Sequence, residues 1–413
     1  MKSNLHYHSD CPFFGGCENM IANFLNSDQI HDQFSVSFTY RKSARYEAGL
    51  RQRVEKNILK KGLILFCWPS YLGWINSKFP SIISLIIKGV SLLLQFKTIF
   101  FLIDIFILYF TFRKRNIDIL HINNGGFPAA TSANSAVIAA KMLGIEKIFY
   151  VVNNIASPYS KIDRIFDWPI DYLVKKSTTK FITGSRYAGK ELVKVLELQT
   201  EQYSTINNGI SHRPLSESRE EVLERLGIPT TRVIVGIVAN LEKRKGHKYL
   251  LLAFAEIIKK VENAFLIIEG DGEELNNIQK DIENLNLKNF TLLIKREERI
   301  FNLINAFDVL VLPSIYNEDF PNIIIEAMSL EKPVVATRIA GIPEQIDQDK
   351  TGLIVKPKDV EELTSSLSSL IYDREMREKM GQFGKVKFEQ KYEVNVSISN
   401  YIDLYTNQNL ELI

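Results

Sequence analysis

Cysteine is scarce in this sequence: Cys11, Cys17 and Cys67 are the only three among 413 residues. An odd count without partners at metal-ligand spacing argues against a disulfide framework and fits a reducing cytoplasm. HExxH, clustered carboxylates of the D-x-D type and Cys/His ligand sets are all missing, so no metal site is expected. No strand-like run leads into G-x-G-x-x-G with an acid about 20 residues on, which argues against a dinucleotide oxidoreductase. The opening MKSNLHYHSDCPFFGG lacks the apolar core of a signal peptide, so nothing points to export. Net charge is only +3, which implies no nucleic-acid partner. Long uncharged runs are missing too. Residues 82–112 are overwhelmingly apolar, yet Lys88, Lys97 and Asp104 keep each uncharged run below about 18 residues, so a single-pass membrane helix is not expected.

What is present describes a globular protein of two domains, with 46% hydrophobic and 24% charged residues. The charge is unevenly spread. Residues 41–115 carry 14 Lys/Arg against 3 Asp/Glu, a net of +11, which leaves −8 for the rest. A basic stretch beside apolar sequence suits phosphates or lipid headgroups, or is simply a solvated face. Ser81, Ser84, Lys88, Ser91, Gln95 and Thr98 recur at helical spacing and form one narrow polar stripe on an oily helix. Such a helix is either buried in the first domain or lies on a bilayer, helped by Arg113, Lys114 and Arg115.

Organisation is clearest in the second half. RVIVGIVA, AFLIIEG, FTLLIK, DVLVLPS and PVVAT are short β-branched runs, separated by helical patterns such as HKYLLLAFAEIIKKV. That alternation predicts βαβ units and a parallel sheet covered on both faces. FSVSFTY, GLILFCW, DILHI, KIFYVV and KFITGS repeat the theme in the first half. The expected fold is α/β, with two doubly wound Rossmann-like domains. Residues 1–210 form the first, including an apolar and basic insertion at 41–115. Residues 211–231 read as a linker with one charged helix, 232–390 as the second domain, and 391–413 as a helix returning to the first.

PSIYNEDFPNIIIEAM, from Pro313 to Met328, sets Glu318 and Glu326 eight positions apart. Pro321 suits the first turn of a helix, which puts Glu318 in the loop after a strand and Glu326 inside the helix. The amides of Phe320, Asn322 and Ile323 would crown a helix N-terminus, where a phosphate is favoured. Taken alone, the pair also fits an acid near a helix dipole and an unrelated glutamate.

This stretch, with KPVVATRIAGIPEQIDQDKTGLIVKPKD after it, resembles the nucleotide-sugar domain of the retaining GT-B glycosyltransferases of family 4. The E-x7-E motif of that family matches Glu318 and Glu326. GIVANLEKRKGH, EGDGEEL, FFGGCENM and STINNGI are similar to its other elements, in order along nearly the whole chain. The resemblance implies two domains facing across a cleft and transfer of a sugar from a UDP-, GDP- or ADP-sugar, with no further cofactor and no metal. Glu326 would hold the donor ribose, Glu318 would contact the transferred sugar, and Lys245 would neutralise the departing diphosphate. Gly15, Gly16 and Gly341 would permit close backbone approach, with Glu344 steadying the last loop. Phe320, Pro321 and Asn322 would face the donor phosphates.

Two positions depart from the family pattern. Asn240, expected at the donor, stands where an arginine is common, which leaves the positive charge facing the diphosphate mainly to Lys245, with Arg244 or backbone dipoles beside it. Asn153 stands where a histidine commonly faces the reacting sugar; the polar contact would pass to Asn153, which cannot do acid/base work there. His121 matches a histidine common at its position, although a histidine at a strand end is more often structural. Ser185 is explained by helix capping. The acceptor expected from the basic, apolar segment is a carbohydrate or lipid-linked precursor of a surface polysaccharide or lipopolysaccharide. It would be met in the cytoplasm at the inner face of the plasma membrane, with peripheral contact to anionic lipid. A nucleotide-sugar epimerase and a non-catalytic sugar-nucleotide-binding homologue share the two-domain shape.

Overall fold

The computed structural model describes residues 2–11, 14, 16–160, 164 and 166–406. The chain divides into two compact units: residues up to Asn208 together with those from Ser397 on, and Gly209–Val396.

The first unit is built on seven strands: β1 (Ser3–Ser9), β2 (Phe34–Arg41), β3 (Leu59–Leu63), β4 (Ile119–Asn124), β5 (Lys147–Val152), β6 (Lys180–Thr183) and β7 (Tyr203–Thr205). They lie in the order β3-β2-β1-β4-β5-β6-β7, and every pairing is parallel. Successive parallel strands need crossovers, which the intervening helices supply. The second unit has six strands: β8 (Val233–Val238), β9 (Ala264–Glu269), β10 (Thr291–Ile294), β11 (Val309–Leu312), β12 (Val334–Thr337) and β13 (Gly352–Val355). Their order is β10-β9-β8-β11-β12-β13, again wholly parallel. Alternate residues of its strands enter opposite cores, Val235 and Ile268 on one face, Ile234 and Ile267 on the other. Burial on both faces is why these strands read as near-continuous Val/Ile/Leu runs. In both sheets the strand order reverses beside the first strand, between β1 and β4 and between β8 and β11. A ligand in an open parallel sheet binds outside the carboxyl ends of the strands at such a reversal.

Two expectations are corrected. The stretch 211–231 is part of the second unit, because helix Arg219–Arg225 buries Val222 and Leu223 in its core and Ile228 follows them. Ser218 and Glu221 cap this helix reciprocally, so the charges sit on its outer face. The oily segment is two helices, Ser81–Leu93 and Phe96–Phe112, bent by 61° where Gln95 adopts a left-handed conformation. No single helix among the described residues is long and apolar enough to cross a membrane. The last helix, Val394–Thr406, carries Tyr401 and Tyr405 into the first unit, where both pack against His121.

Asp104, within the Phe96–Phe112 helix, is buried, and one carboxylate oxygen accepts the Phe66 amide at 2.9 Å. Burial pushes its pKa up to about 7, with the Phe66 N–H opposing, Asp10 adding and Arg41 opposing. The folded chain therefore keeps a proton that the unfolded chain loses near its ordinary pKa of 3.8. Stability from this group is present below about pH 4 and lost as pH rises through about 7, by up to ~4 kcal/mol at ~1.4 kcal/mol per pH unit. Asp104→Asn is accordingly expected to melt higher than the parent at pH 8, with the difference shrinking at pH 5. Thermal denaturation at both pH values checks this, and a difference independent of pH would refute it.

Candidate functional site

In the second unit the reversal between β8 and β11 brings two loops together. The first, residues 239–246, leaves β8 and ends in helix His247–Ile258; the second, residues 313–321, leaves β11 and ends in helix Asn322–Ser329. The Ile315 amide donates to the Arg244 carbonyl at 2.7 Å, which fastens one loop to the other. The first loop is also stitched to the turn after β9, where the Leu241 amide donates to Asp271 O at 3.0 Å and the Glu274 amide to Leu241 O at 2.9 Å.

The side chains converge on Glu318. Its Oε2 accepts hydrogen bonds from Lys245 Nζ at 2.6 Å, Arg244 Nη1 at 3.1 Å and Ser314 Oγ at 3.1 Å. Lys245, Glu318 and Ser314 are all buried, so these charges interact under weak solvent screening. Arg244 also grips Glu242 through Nε at 2.5 Å, and Asn240 donates to the other Glu242 oxygen at 3.1 Å. Partial burial raises the Glu242 pKa, but Arg244 and Asn240 outweigh it and hold the carboxyl below its ordinary value. Lys245 and Glu318 are thus partners of one another, where the sequence suggested separate tasks. An ammonium has three donors, so the pairing leaves two for a ligand.

His247 follows Gly246 and is buried, and neither ring nitrogen has a hydrogen-bond partner. Burial, and secondarily Lys245, lowers its pKa to about 4, so it is neutral near pH 7. Ser314, Gln345 and His247 escaped sequence reasoning, because none belongs to a recognisable spacing. Gln345 donates to the Pro321 carbonyl at 3.1 Å and so ties helix Ile342–Gln345 to the start of helix Asn322–Ser329.

The remaining expected donor residues are placed as follows. Glu326 is half-buried within helix Asn322–Ser329. Pro321 is the N-cap of that helix, one position before its first turn, and Asn322 opens it. The Phe320 ring is buried against Tyr392 at 5.7 Å, so only its backbone is available to a ligand. Gly341 has φ −83°, an ordinary backbone for any residue, and leaves only its small size as a reason for glycine. Gly15 lies outside the described residues, and Gly16 opens helix Gly16–Asn26 in the first unit.

Asn153 also belongs to the first unit, just beyond β5. Its amide donates to Asn123 Oδ1 at 2.8 Å and to the Asn124 carbonyl at 2.9 Å, beside the end of β4. Asn123 in turn donates to Glu18 Oε1 at 3.0 Å, which also accepts from Ser9 Oγ at 2.7 Å, and the Tyr46 hydroxyl donates to Glu18 Oε2. Burial raises the Glu18 pKa against these hydrogen bonds. Asp10 completes the group by accepting from Arg41 and Ser132. Glu18 and Asp10 also escaped sequence reasoning; their partners lie up to 122 positions away. His121 is structural: Nδ1 lies 2.6 Å from the Tyr405 hydroxyl, and burial holds its pKa near 3. Ser185 caps helix Arg186–Leu196 by accepting from the Ala188 amide at 2.9 Å. Among the described residues no group of three or more His, Cys, Asp or Glu side chains converges as a metal-ligand set would.

Two parallel doubly wound sheets, each with polar groups at its reversal, define the GT-B fold of glycosyltransferases. Anabaena Alr3699/HepE, solved in complex with UDP, superposes with a TM-score of 0.72 over 98% of this chain and 99% of that one, at 16% identity. Residues 218–387, within the second unit, match the family model of glycosyl transferases group 1. The N-acetyl-alpha-D-glucosaminyl L-malate synthase of Bacillus anthracis is 25% identical over 71% of this chain and 75% of its own. A UDP-Gal:alpha-D-GlcNAc-diphosphoundecaprenol alpha-1,3-galactosyltransferase of Escherichia coli is 24% identical over 65% and 70%.

Proposed function

We propose that the protein is a retaining, metal-independent glycosyltransferase. It moves a sugar from a nucleoside-diphosphate sugar bound by the second unit to a hydroxyl of an acceptor bound by the first. The observation that carries this reading is the convergence of Lys245, Arg244 and Ser314 on Glu318, at the strand reversal of the domain matching the family. In the reaction, the bond from the sugar's C1 to the diphosphate oxygen breaks. A bond from the acceptor oxygen to C1 forms on the same face, and the acceptor's proton leaves with the diphosphate. Charge grows on that diphosphate as the bond breaks. Lys245, Arg244 and the amides opening helix Asn322–Ser329 are fixed in advance to meet it, the arrangement that gives electrostatic catalysis. Glu326, one helical turn further in, takes the ribose hydroxyls, and Glu318 hydrogen-bonds the transferred sugar while holding Lys245. No organic cofactor enters the reaction.

The acceptor is a carbohydrate on a lipid carrier, or a surface-polysaccharide precursor, met at the cytoplasmic face of the plasma membrane. The lipid-linked acceptor in the name of the Escherichia coli relative supports this class. The donor is found by a thermal-shift screen over UDP-, GDP- and ADP-sugars, because ligand binding raises stability in proportion to ln(1 + [L]/Kd). With that donor, Glu326→Ala is expected to weaken binding by roughly 10- to 100-fold, the loss of one or two hydrogen bonds to a charged group. Isothermal titration calorimetry reads the change; an unaltered Kd refutes the ribose role. A folded protein that neither hydrolyses nor transfers from any of these donors refutes the function itself.

A further inference from the structure

The helix Ser81–Leu93 is built inside out, and the helix Phe96–Phe112 after it is apolar on its inner and outer faces alike. On the first, Ser84 and Ser91 are 2% exposed, two turns apart on one face, whereas Ile82, Leu85 and Leu93 are 76%, 72% and 79% exposed. The inward serines are satisfied: Ser84 Oγ donates to Asn76 Oδ1 at 2.7 Å, and Ser91 Oγ donates to the Ile87 carbonyl at 2.7 Å beside the Tyr71 hydroxyl. On the second helix Asp104 and Thr111 lie inward beside Phe101, Leu108 and Phe112, while Leu102, Ile103, Phe106 and Phe110 face out. Of the 28 large hydrophobic side chains exposed among the described residues, 17 fall between Leu59 and Phe110. Scattered exposed apolar residues are normal, but so many on neighbouring helices mark an interaction surface.

The charges identify what covers it. Between Lys56 and Arg115 the only acid is Asp104, and it is buried. Lys60 and Lys61 on the edge strand β3, Lys78 at the end of helix Trp68–Lys78, and Arg113 and Lys114 after helix Phe96–Phe112 are all exposed. An apolar face flanked only by cations fits hydrocarbon beneath anionic headgroups, with lysine and arginine reaching up to the phosphates. We propose that this helix pair inserts into one leaflet of an anionic bilayer, without spanning it, and holds the first unit at the membrane surface. The inference deepens the membrane-borne acceptor of the proposed function and rests on that reading for its purpose. Its physical support is the exposed apolar face of both helices and the inverted polarity of the first, which are independent of the transfer chemistry.

The test is flotation of the full chain with phosphatidylcholine vesicles, with and without phosphatidylglycerol. Binding to the phosphatidylglycerol vesicles is expected, and because hydrocarbon contact carries much of it, a large fraction should survive 0.5 M salt, where the Debye length is only about 4 Å. Ile86→Glu with Phe106→Glu should weaken vesicle binding at least tenfold, and the milder Ile86→Ser with Phe106→Ser should weaken it less. Donor binding by calorimetry should be unchanged in both pairs, which also shows that they fold. Absence of vesicle binding overturns the proposal, as does binding that salt abolishes or that neither pair alters. A dimer in light scattering that the same substitutions dissolve also overturns it, by assigning the face to a second copy. Loss of donor binding by the unaltered chain would instead count against the glycosyltransferase reading alone.

Discussion

Replacing Lys245 with alanine is expected to lower the rate of sugar transfer by about 10²- to 10³-fold, the usual consequence of deleting one preorganised stabiliser of developing charge. Donor affinity changes far less. The ground-state donor already carries its diphosphate charge, and the extra negative charge appears only as the bond to the sugar breaks, so the ammonium acts mainly on the transition state. Two effects of the substitution must be separated. Lys245 sits 2.6 Å from Glu318, so its loss also leaves a buried carboxylate with only Arg244 and Ser314 as partners. That carboxylate would then repel the departing diphosphate. The double variant Lys245→Ala with Glu318→Gln removes both charges. If Lys245 merely neutralised Glu318, the double variant would recover most of the rate. If Lys245 acts on the diphosphate, it stays as slow as the single variant or slower. Lys245→Arg should not restore the rate, because a planar guanidinium does not fit the enclosed position of a compact ammonium. Initial rates across a donor concentration series measure all three, and an unchanged turnover number in Lys245→Ala sinks the assignment.

The second sheet is the more legible because its strands are buried on both faces, and runs such as VIVGIV and VLVL advertise that directly. Strand β1 shows the opposite case. SNLHYHS has only Leu5 and Tyr7 as apolar residues, and the polar His6 and His8 between and after them are also buried, by pairing with Ser37 and Thr39 from the neighbouring strand. Partners that make a polar residue acceptable in a core come from distant sequence, so the strand carries no local sign. The same reason hides the site's interior. The spacing of Glu318 and Glu326 is visible, whereas the ion pair between Lys245 and Glu318 joins residues 73 positions apart. The helix Arg219–Arg225 reads as a solvated linker because only Val222 and Leu223 face inward from a charged surface. In the apolar segment the polar stripe is legible as a stripe, but its division between two helices is not. The left-handed turn at Gln95 splits it, and Ser84 and Ser91 lie on the inner side.

Gly246→Ala is expected to be a strongly damaging single-methyl change in the second unit's site. Gly246 has φ +75°, a conformation costing an alanine about 1–2 kcal/mol. A Cβ there would lie 2.0 Å from the Pro313 carbonyl oxygen, backbone against backbone, with no flexible side chain to yield. Overpacking of this kind adds roughly 1–3 kcal/mol, for a total of about 2–5. The contact is also what sets the site. Gly246 ends the turn carrying Arg244 and Lys245, and Pro313 begins the loop carrying Glu318, so separating the two backbones separates the ion pair. Activity should therefore fall together with stability. Two other glycines of the second unit isolate the causes. Gly227 has φ +69° with nothing within 4 Å of where an added Cβ would sit, so Gly227→Ala carries the conformational cost alone. Gly384 lies in helix Arg374–Lys391 with its nearest neighbour at 3.4 Å, so alanine there should be neutral or stabilising by up to about 1 kcal/mol. Melting temperatures should rank Gly246→Ala lowest, then Gly227→Ala, then the parent with Gly384→Ala, and only the first should lose transfer activity. Equal effects at Gly227 and Gly246 would mean that the backbone angle alone matters, and that the approach to Pro313 does not hold Lys245 against Glu318.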